Sequence, residues 1–426
     1  MIIRLLGGLA ITVMTLYCSP RRRCGQGRGT EGSGLYPELA AYRISEGNSP
    51  NVQSEVGRLV AQMPIEAARA ELERRGLRFD EKAVRRIAHE LGTQMLASRT
   101  RDLLRFRAGT LPAGTEWAGK RVGAQVDGGR VRIRTVVKTV RVGGKRKRRK
   151  FRVEWREPKV LILYELDDQG RMKRGSRPVI DGTLQGPAAL VELLAFHLHR
   201  LGAKEARELV FVADGAPWVW ARLDWVVVQV GIARARVVEV LDWCHAVHHV
   251  SVALEALGFD KATRDGHYQR LRKLLKQGKA AALIKDLETL ASGSAEDSAV
   301  WRELRYLKKH KEARRLMYDV YRSWRLPMGS GAIESTIRRV INLRLKGAGI
   351  FWTEGNAEAV FQLRAAVLSG RWEEIMERTQ QAMSRDRRKG WAWTPPDCLA
   401  ELKALESESD ERPQTSAAKR AKSAAP

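Results

Sequence analysis

The sequence predicts a mixed α/β core with helical additions, on three observations. Between residues 117 and 244, short β-branched runs that end in acids alternate with longer apolar stretches of helical period. On either side of that zone the apolar residues recur at helical spacing only. The 426 residues are 44% hydrophobic, which is enough to bury a sizeable core, and the length suits two or three domains.

Residues 1–45 are an apolar start followed by a Gly/Arg-rich loop. Residues 1–17 carry one charge, Arg4, and are too short for a spanning helix. A signal or anchor and an ordinary strand are both open there, and a membrane-anchored protein would rest on these residues alone. Cys18 and Cys24 resemble half of a zinc ribbon without its second cysteine pair, so they read as unpaired bystanders. With four cysteines in the whole chain, a disulfide scaffold is excluded.

Residues 46–116 read as an α-helical region. Val56, Leu59, Val60 and Met63 share one face, and Asp80 caps a further helix that Gly92 would end. This region is either a DNA-binding module or a packing domain. Three strands follow: 122–127, 130–142 and 151–166, the last kinked at Pro158. Gly128-Gly129 turns the chain after the first, and 143–150 (GGKRKRRK) forms a basic turn after the second. Next come a helix over 187–201, a strand over 209–214, a helix over 218–230 and a strand over 235–242. The order βββ-α-β-α-β is that of a ribonuclease H-like core, spanning 117–244 and resuming over 322–375.

Residues 245–321 form a basic helical insertion, with a stripe through Leu271, Leu274, Leu275, Leu283 and Leu287. After a break at 327–331, helices are expected over 331–345 and 354–368. Residues 376–426 are a C-terminal extension, disordered from about 406.

The charge narrows the function. Lys and Arg number 77 against 49 Asp and Glu, a net +28, which points to a polyanionic partner. Within this basic chain, Asp127 and Asp214 end strands, and Glu334 opens a helix after a Gly-Ser-Gly turn. Such hard oxygen ligands suit two Mg²⁺ or Mn²⁺ ions and phosphodiester cleavage. A strand-end Asp before Gly is also a common turn former, so spacing alone leaves both roles open.

Longer motifs add to this. Residues 210–220 read VFVADGAPWVW, 240–250 read VLDWCHAVHHV, and 321–352 read YRSWRLPMGSGAIESTIRRVINLRLKGAGIFW, followed by LRAAVLSGRW at 363–372. Over roughly 120–375 the chain resembles bacterial insertion-sequence transposases of the ISKra type, a DDE group with Mutator-like architecture. The resemblance implies a ribonuclease H-like catalytic core and a metal-bound triad of Asp127, Asp214 and Glu334. It implies metal-dependent cleavage and strand transfer at the ends of a mobile element. The partners would be double-stranded DNA, as terminal inverted repeats and target, and further copies of the chain assembled on it. No small-molecule cofactor is expected, and the location would be cytoplasmic, at the nucleoid. The cysteine-bearing N-terminal segment common in the group has only Cys18 and Cys24 here, which is too little for a working zinc site.

Other residues carry two readings each. Asp242 and His245 either assist the catalytic centre or cap a helix. Trp218 and Trp220 either stack on an unpaired base or pack in the core. Arg338 either holds a scissile phosphate or pairs with Glu334. Arg344 and Lys346 either contact the DNA backbone or end a helix in solvent. The 145–150 run gives at most a flexible electrostatic contact, and His248 and His249 read as helix-surface residues. The rival to a transposase is a non-catalytic nucleic-acid-binding protein on the same fold.

Overall fold

The computed structural model describes residues 1–17, 36–142 and 145–388. Cys18, Cys24, the Gly/Arg-rich stretch and the tail from 406 lie outside the described residues. The chain divides into two compact units. Among the described residues, one comprises 1–4, 10–17, 36–50 and 380–388, the other 5–9, 51–142 and 145–379.

In the smaller unit the apolar start is a two-stranded hairpin, β1 (Ile2–Arg4) against β2 (Ala10–Thr12), with Ile2 opposite Thr12. A short helix, α1 (Pro37–Ala41), follows. Among the described residues, no helix is long and apolar enough to cross a membrane.

The larger unit is mixed α/β. Its first helices are α2 (Pro50–Gln62), α3 (Ile65–Arg74) and α4 (Glu81–Arg107). Asp80 caps α4 as expected, accepting from the Ala83 amide at 2.6 Å. Gly92 does not end that helix, which continues to Arg107. It sits mid-helix because a Cβ there would stand 2.6 Å from the Ala359 carbonyl oxygen of the helix packed against it.

The strands are β3 (Arg121–Gly128), β4 (Val131–Val142), β5 (Lys145–Arg156), β6 (Lys159–Glu165), β7 (Val179–Thr183), β8 (Glu208–Ala213) and β9 (Val237–Leu241). Five make one sheet in the order β7-β6-β3-β8-β9, with β3, β8 and β9 parallel and β6 antiparallel to its neighbours. Helix α5 (Pro187–Leu201) joins β7 to β8, and α6 (Pro217–Val230) joins β8 to β9.

Three expectations about the strands need correction. The run 130–142 is not in the central sheet: β4 pairs only with β5, as a separate two-stranded ribbon. The expected strand 151–166 is two strands, because the segment 157–158 separates β5 from β6. The basic 145–150 run is therefore strand rather than turn. The third strand of the sheet is β7, VIDGT, which the sequence reading passed over. Its Asp and Gly argue against a strand, yet all five residues are buried.

Both faces of the sheet are covered. Val122, Ala124 and Phe211 pack with α5 and α6 on one side. Val160, Ile162, Val210, Val212 and Val240 pack on the other, in one continuous core with the insertion residues Leu271, Leu275, Leu283 and Leu304. Strands buried on both faces read as unbroken apolar runs, as in VLILY of β6. The insertion comprises α7 (Trp243–Glu255), α8 (Lys261–Lys276), α9 (Ala280–Leu290), α10 (Ala299–Glu312) and α11 (Tyr318–Ser323).

Beyond the insertion lie α12 (Gly331–Ile337), α13 (Glu354–Leu368) and α14 (Trp372–Arg388). The single helix expected over 331–345 is shorter, since α12 gives way to a π-helical turn at Arg338–Asn342.

Candidate active site

Strand register places the acids. Gln125 of β3 lies opposite Val212 of β8, so two residues further on Asp127 comes level with Asp214. Ala213 lies opposite Leu241 of β9, so Asp214 is in turn level with Asp242. The Asp242 amide donates to the Ala213 carbonyl at 2.9 Å and locks that step. Three aspartates thus stand side by side at the carboxyl ends of three adjacent parallel strands, whose spacing is about 4.8 Å.

The start of α12, which carries Glu334, is fastened to the same edge. Gln125, two residues before Asp127, accepts from the Ile333 amide at 2.9 Å and donates to the Gly329 carbonyl at 3.1 Å. Asp242 Oδ1 accepts from the Ser330 amide at 2.8 Å. The helix start is therefore fastened to β3 and β9 alike. Glu334 itself is exposed and accepts from Ser330 Oγ at 2.5 Å.

The electrostatics differ from one acid to the next. Asp127 is held above the usual carboxylate range, chiefly by burial. The Gly128 amide at 2.6 Å opposes this, the charge of Asp214 adds to it, and His245 and Lys159 lower it again. Asp242 is buried and goes the other way. Burial alone would raise it, but its bonds to His245 and to the Ser330 amide more than offset that. It caps α7, taking the His245 amide at 2.9 Å and His245 Nδ1 at 2.7 Å. His245 is raised first by this bond, against desolvation, and further by the charges of Asp242, Asp214 and Asp127. With Nδ1 engaged, Nε2 is the ring nitrogen left for other partners.

Asp127, Asp214, Asp242 and His245 are thus brought together, and the start of the helix that carries Glu334 is fastened beside them. Among the described residues no three His, Cys, Asp or Glu side chains gather tightly enough to hold an ion in this arrangement. The donor chemistry nevertheless fits a hard divalent cation. Asp127 and Asp214 are half-exposed oxygen donors on neighbouring strand ends, and each is repelled by the other.

The predicted DNA contacts fare unequally. Trp220 is buried. Its Nε1 donates to the Asp214 carbonyl at 2.8 Å and its ring meets Phe211 edge-on at 5.8 Å, so it packs the core and cannot stack on a base. Trp218 is half-buried, with Lys159 Nζ 5.0 Å from its ring centre. Arg338 and Lys346 are exposed. Arg344 is buried instead, because its Nε donates to the Val60 carbonyl at 3.0 Å and its guanidinium lies over Trp352, 5.4 Å from the ring centre. His248 is exposed as expected, while His249 is half-buried: it stacks on Tyr306 with ring centres 3.6 Å apart and bonds Glu303.

Sequence reasoning missed Gln125, Ser330, Lys159 and Tyr306. Gln125 left a signal, as the one polar residue inside the apolar run VGAQV. Tyr306 left its mark through Gly215, where a Cβ would fall 1.9 Å from the tyrosine oxygen. No protein-family model matches the chain, and neither does any curated protein.

Proposed function

We propose that the chain is a DNA transposase that cleaves insertion-sequence ends and transfers them to target DNA. The observation that carries the reading is the register, which sets Asp127 level with Asp214 while Gln125 holds the start of the Glu334 helix against the same strand. The sheet order, with an antiparallel second strand and crossover helices after the third, supports a ribonuclease H-like core. Together with the motifs at 210–220, 240–250 and 321–352, it favours the transposase reading over other uses of such a sheet.

Asp127, Asp214 and Glu334 would hold Mg²⁺ or Mn²⁺, which when bound supplies Lewis acidity for in-line phosphoryl displacement. Asp242 fixes the ring of His245 and favours its charged form, in which Nε2 donates to a phosphate oxygen. Arg338 and Lys346 lie exposed on the same segment for the DNA backbone. Hydrolysis uses water and joining uses the freed 3′-hydroxyl as nucleophile, so no covalent protein intermediate is needed.

Asp214→Asn and Glu334→Gln should each abolish cleavage of element-end DNA and leave DNA affinity within about twofold. Unchanged cleavage would sink the triad. One observation favours the rival, a non-catalytic DNA-binding protein: Glu334 is exposed and bonded to Ser330. That rival predicts wild-type binding without metal-dependent cleavage.

A further inference from the structure

The ribbon β4–β5 is strongly basic. Residues 131–156 contain twelve Lys or Arg and one acid, Glu154, giving +11 of the chain's net +28. Residues opposite one another on an antiparallel pair share a face. Val131 and Ile133 lie on one face and are buried at the root. The other face carries the pairs Arg132–Trp155, Arg134–Val153 and Val136–Phe151. Its rings are open to solvent: Trp155 is 54% exposed and Phe151 50%. Phe351 joins them at 39%, from a segment that pairs with the ribbon through Trp352 and Ile133.

Each of these rings has a cation beside it. The Arg132 guanidinium lies 5.5 Å from the Trp155 ring centre and 4.7 Å from that of Phe351, and Arg134 lies 5.2 Å from Phe151. Exposed rings interleaved with guanidinia suit a ligand that offers flat apolar faces and anions in alternation. Unpaired nucleotides do so; a duplex keeps its base faces stacked inside and offers the rings nothing. The position agrees, because the ribbon springs from the end of β3 that carries Asp127, closed at its root by the Gly129 amide on the Pro158 carbonyl at 3.0 Å.

We propose that this face of the ribbon, through Trp155, Phe151 and Phe351, is a stacking platform for unpaired nucleotides of the strand that runs to the strand-end acids. The inference rests on the DNA-processing reading and moves the stacking role from Trp218 and Trp220 to rings to which the sequence reading gave no role.

The test measures affinity at fixed salt for a single-stranded DNA oligomer, a duplex with an unpaired flank, and a blunt duplex. Trp155→Ala should weaken the first two about tenfold and the blunt duplex less than twofold, since stacking is lost and charge is kept. Trp155→Phe should restore most of the loss. An equal loss on all three probes, or no loss, overturns the platform. So does a wild-type dimer that becomes a monomer in Trp155→Ala with DNA affinity unchanged, which would make the face a contact between copies. If thermal unfolding shows that Trp155→Ala is misfolded, Phe151→Ala carries the same comparison. A wild-type chain that binds none of the three probes removes the DNA-processing reading itself.

Discussion

Asp181 and Asp127 stand on the same five-stranded sheet in opposite surroundings. Asp181, on edge strand β7, is buried and fully partnered. Arg99 of α4 reaches it at 2.6 Å, Gln362 of α13 at 2.7 Å, His197 of α5 at 2.7 Å and the Gly182 amide at 2.7 Å. One carboxylate thereby ties three helices to an edge strand. Burial alone would raise it, but Arg99 and His197 hold it well below the usual carboxylate range. Asp127, two strands away, is half-exposed, has another aspartate for a neighbour and is raised instead. Where the protein supplies its own counter-charge, the acid serves the fold. At Asp127 the nearby His245 and Lys159 do not offset burial and the Asp214 charge, which is the balance that the proposed cation would complete.

The widest gap should appear in stability. Asp181→Ala leaves half-buried Arg99 and buried His197 without their shared carboxylate and should cost about 3–5 kcal/mol in denaturant unfolding. Asp127→Asn should cost nothing, since it relieves a carboxylate that burial and Asp214 disfavour. If the two variants lose equal stability, the division between structural and functional acids fails. Acid titration sharpens the contrast. The folded pKa of Asp181 is depressed, so its contribution is present above the unfolded value near 3.8 and is lost as pH falls below it. The acid limb of wild-type stability should therefore flatten in Asp181→Ala. His245 has the opposite sign. Its raised folded pKa gives stability that is full below 6.5 and lost as pH rises through the folded value.

A cation should be felt at one edge only. Mg²⁺ or Mn²⁺ at a hundred times its dissociation constant should stabilise the wild type by about 2.7 kcal/mol. Asp181 is saturated with donors and has nothing to offer an ion. The shift in unfolding temperature should vanish in the double variant Asp127→Asn, Asp214→Asn. If the shift survives there, the ion binds elsewhere.

These two edges were not equally legible beforehand. The strand-end acids could be read because an apolar run that stops at an acid marks both the strand and its carboxyl end, as in LVFVAD and VVEVLD. The Asp181 cluster could not. Its strand is five residues long and holds Asp and Gly, and its partners at 99, 197 and 362 come from three separate helices. The ribbon was half legible. Alternation in 130–142 predicted a strand, but neither its partner nor its departure from the central sheet is encoded locally. Gly92 misled because a glycine that allows two helices to touch looks, in sequence, like one that ends a helix.

The smallest expected effect separates two neighbours that the motif R-x-K presents as equals. Arg344 and Lys346 follow the π-helical turn, and the two-residue step sends one inward and one outward. Arg344 is buried against the Val60 carbonyl and Trp352, and desolvation with the nearby charge of Arg364 brings its pKa down to about 10, so it remains charged. Arg344→Ala strips a buried carbonyl of its donor and should cost about 1–3 kcal/mol, with DNA affinity unchanged once folding is allowed for. Lys346 is exposed, with Nζ 5.9 Å from the Trp155 ring centre at the edge of the ribbon face. Lys346→Ala should leave stability untouched and lower the slope of log affinity against log salt by about one, the loss of a single phosphate contact. A stability loss at Lys346, or a changed slope at Arg344, would reverse the inward and outward assignment and with it the boundary drawn between the fold and the proposed DNA surface.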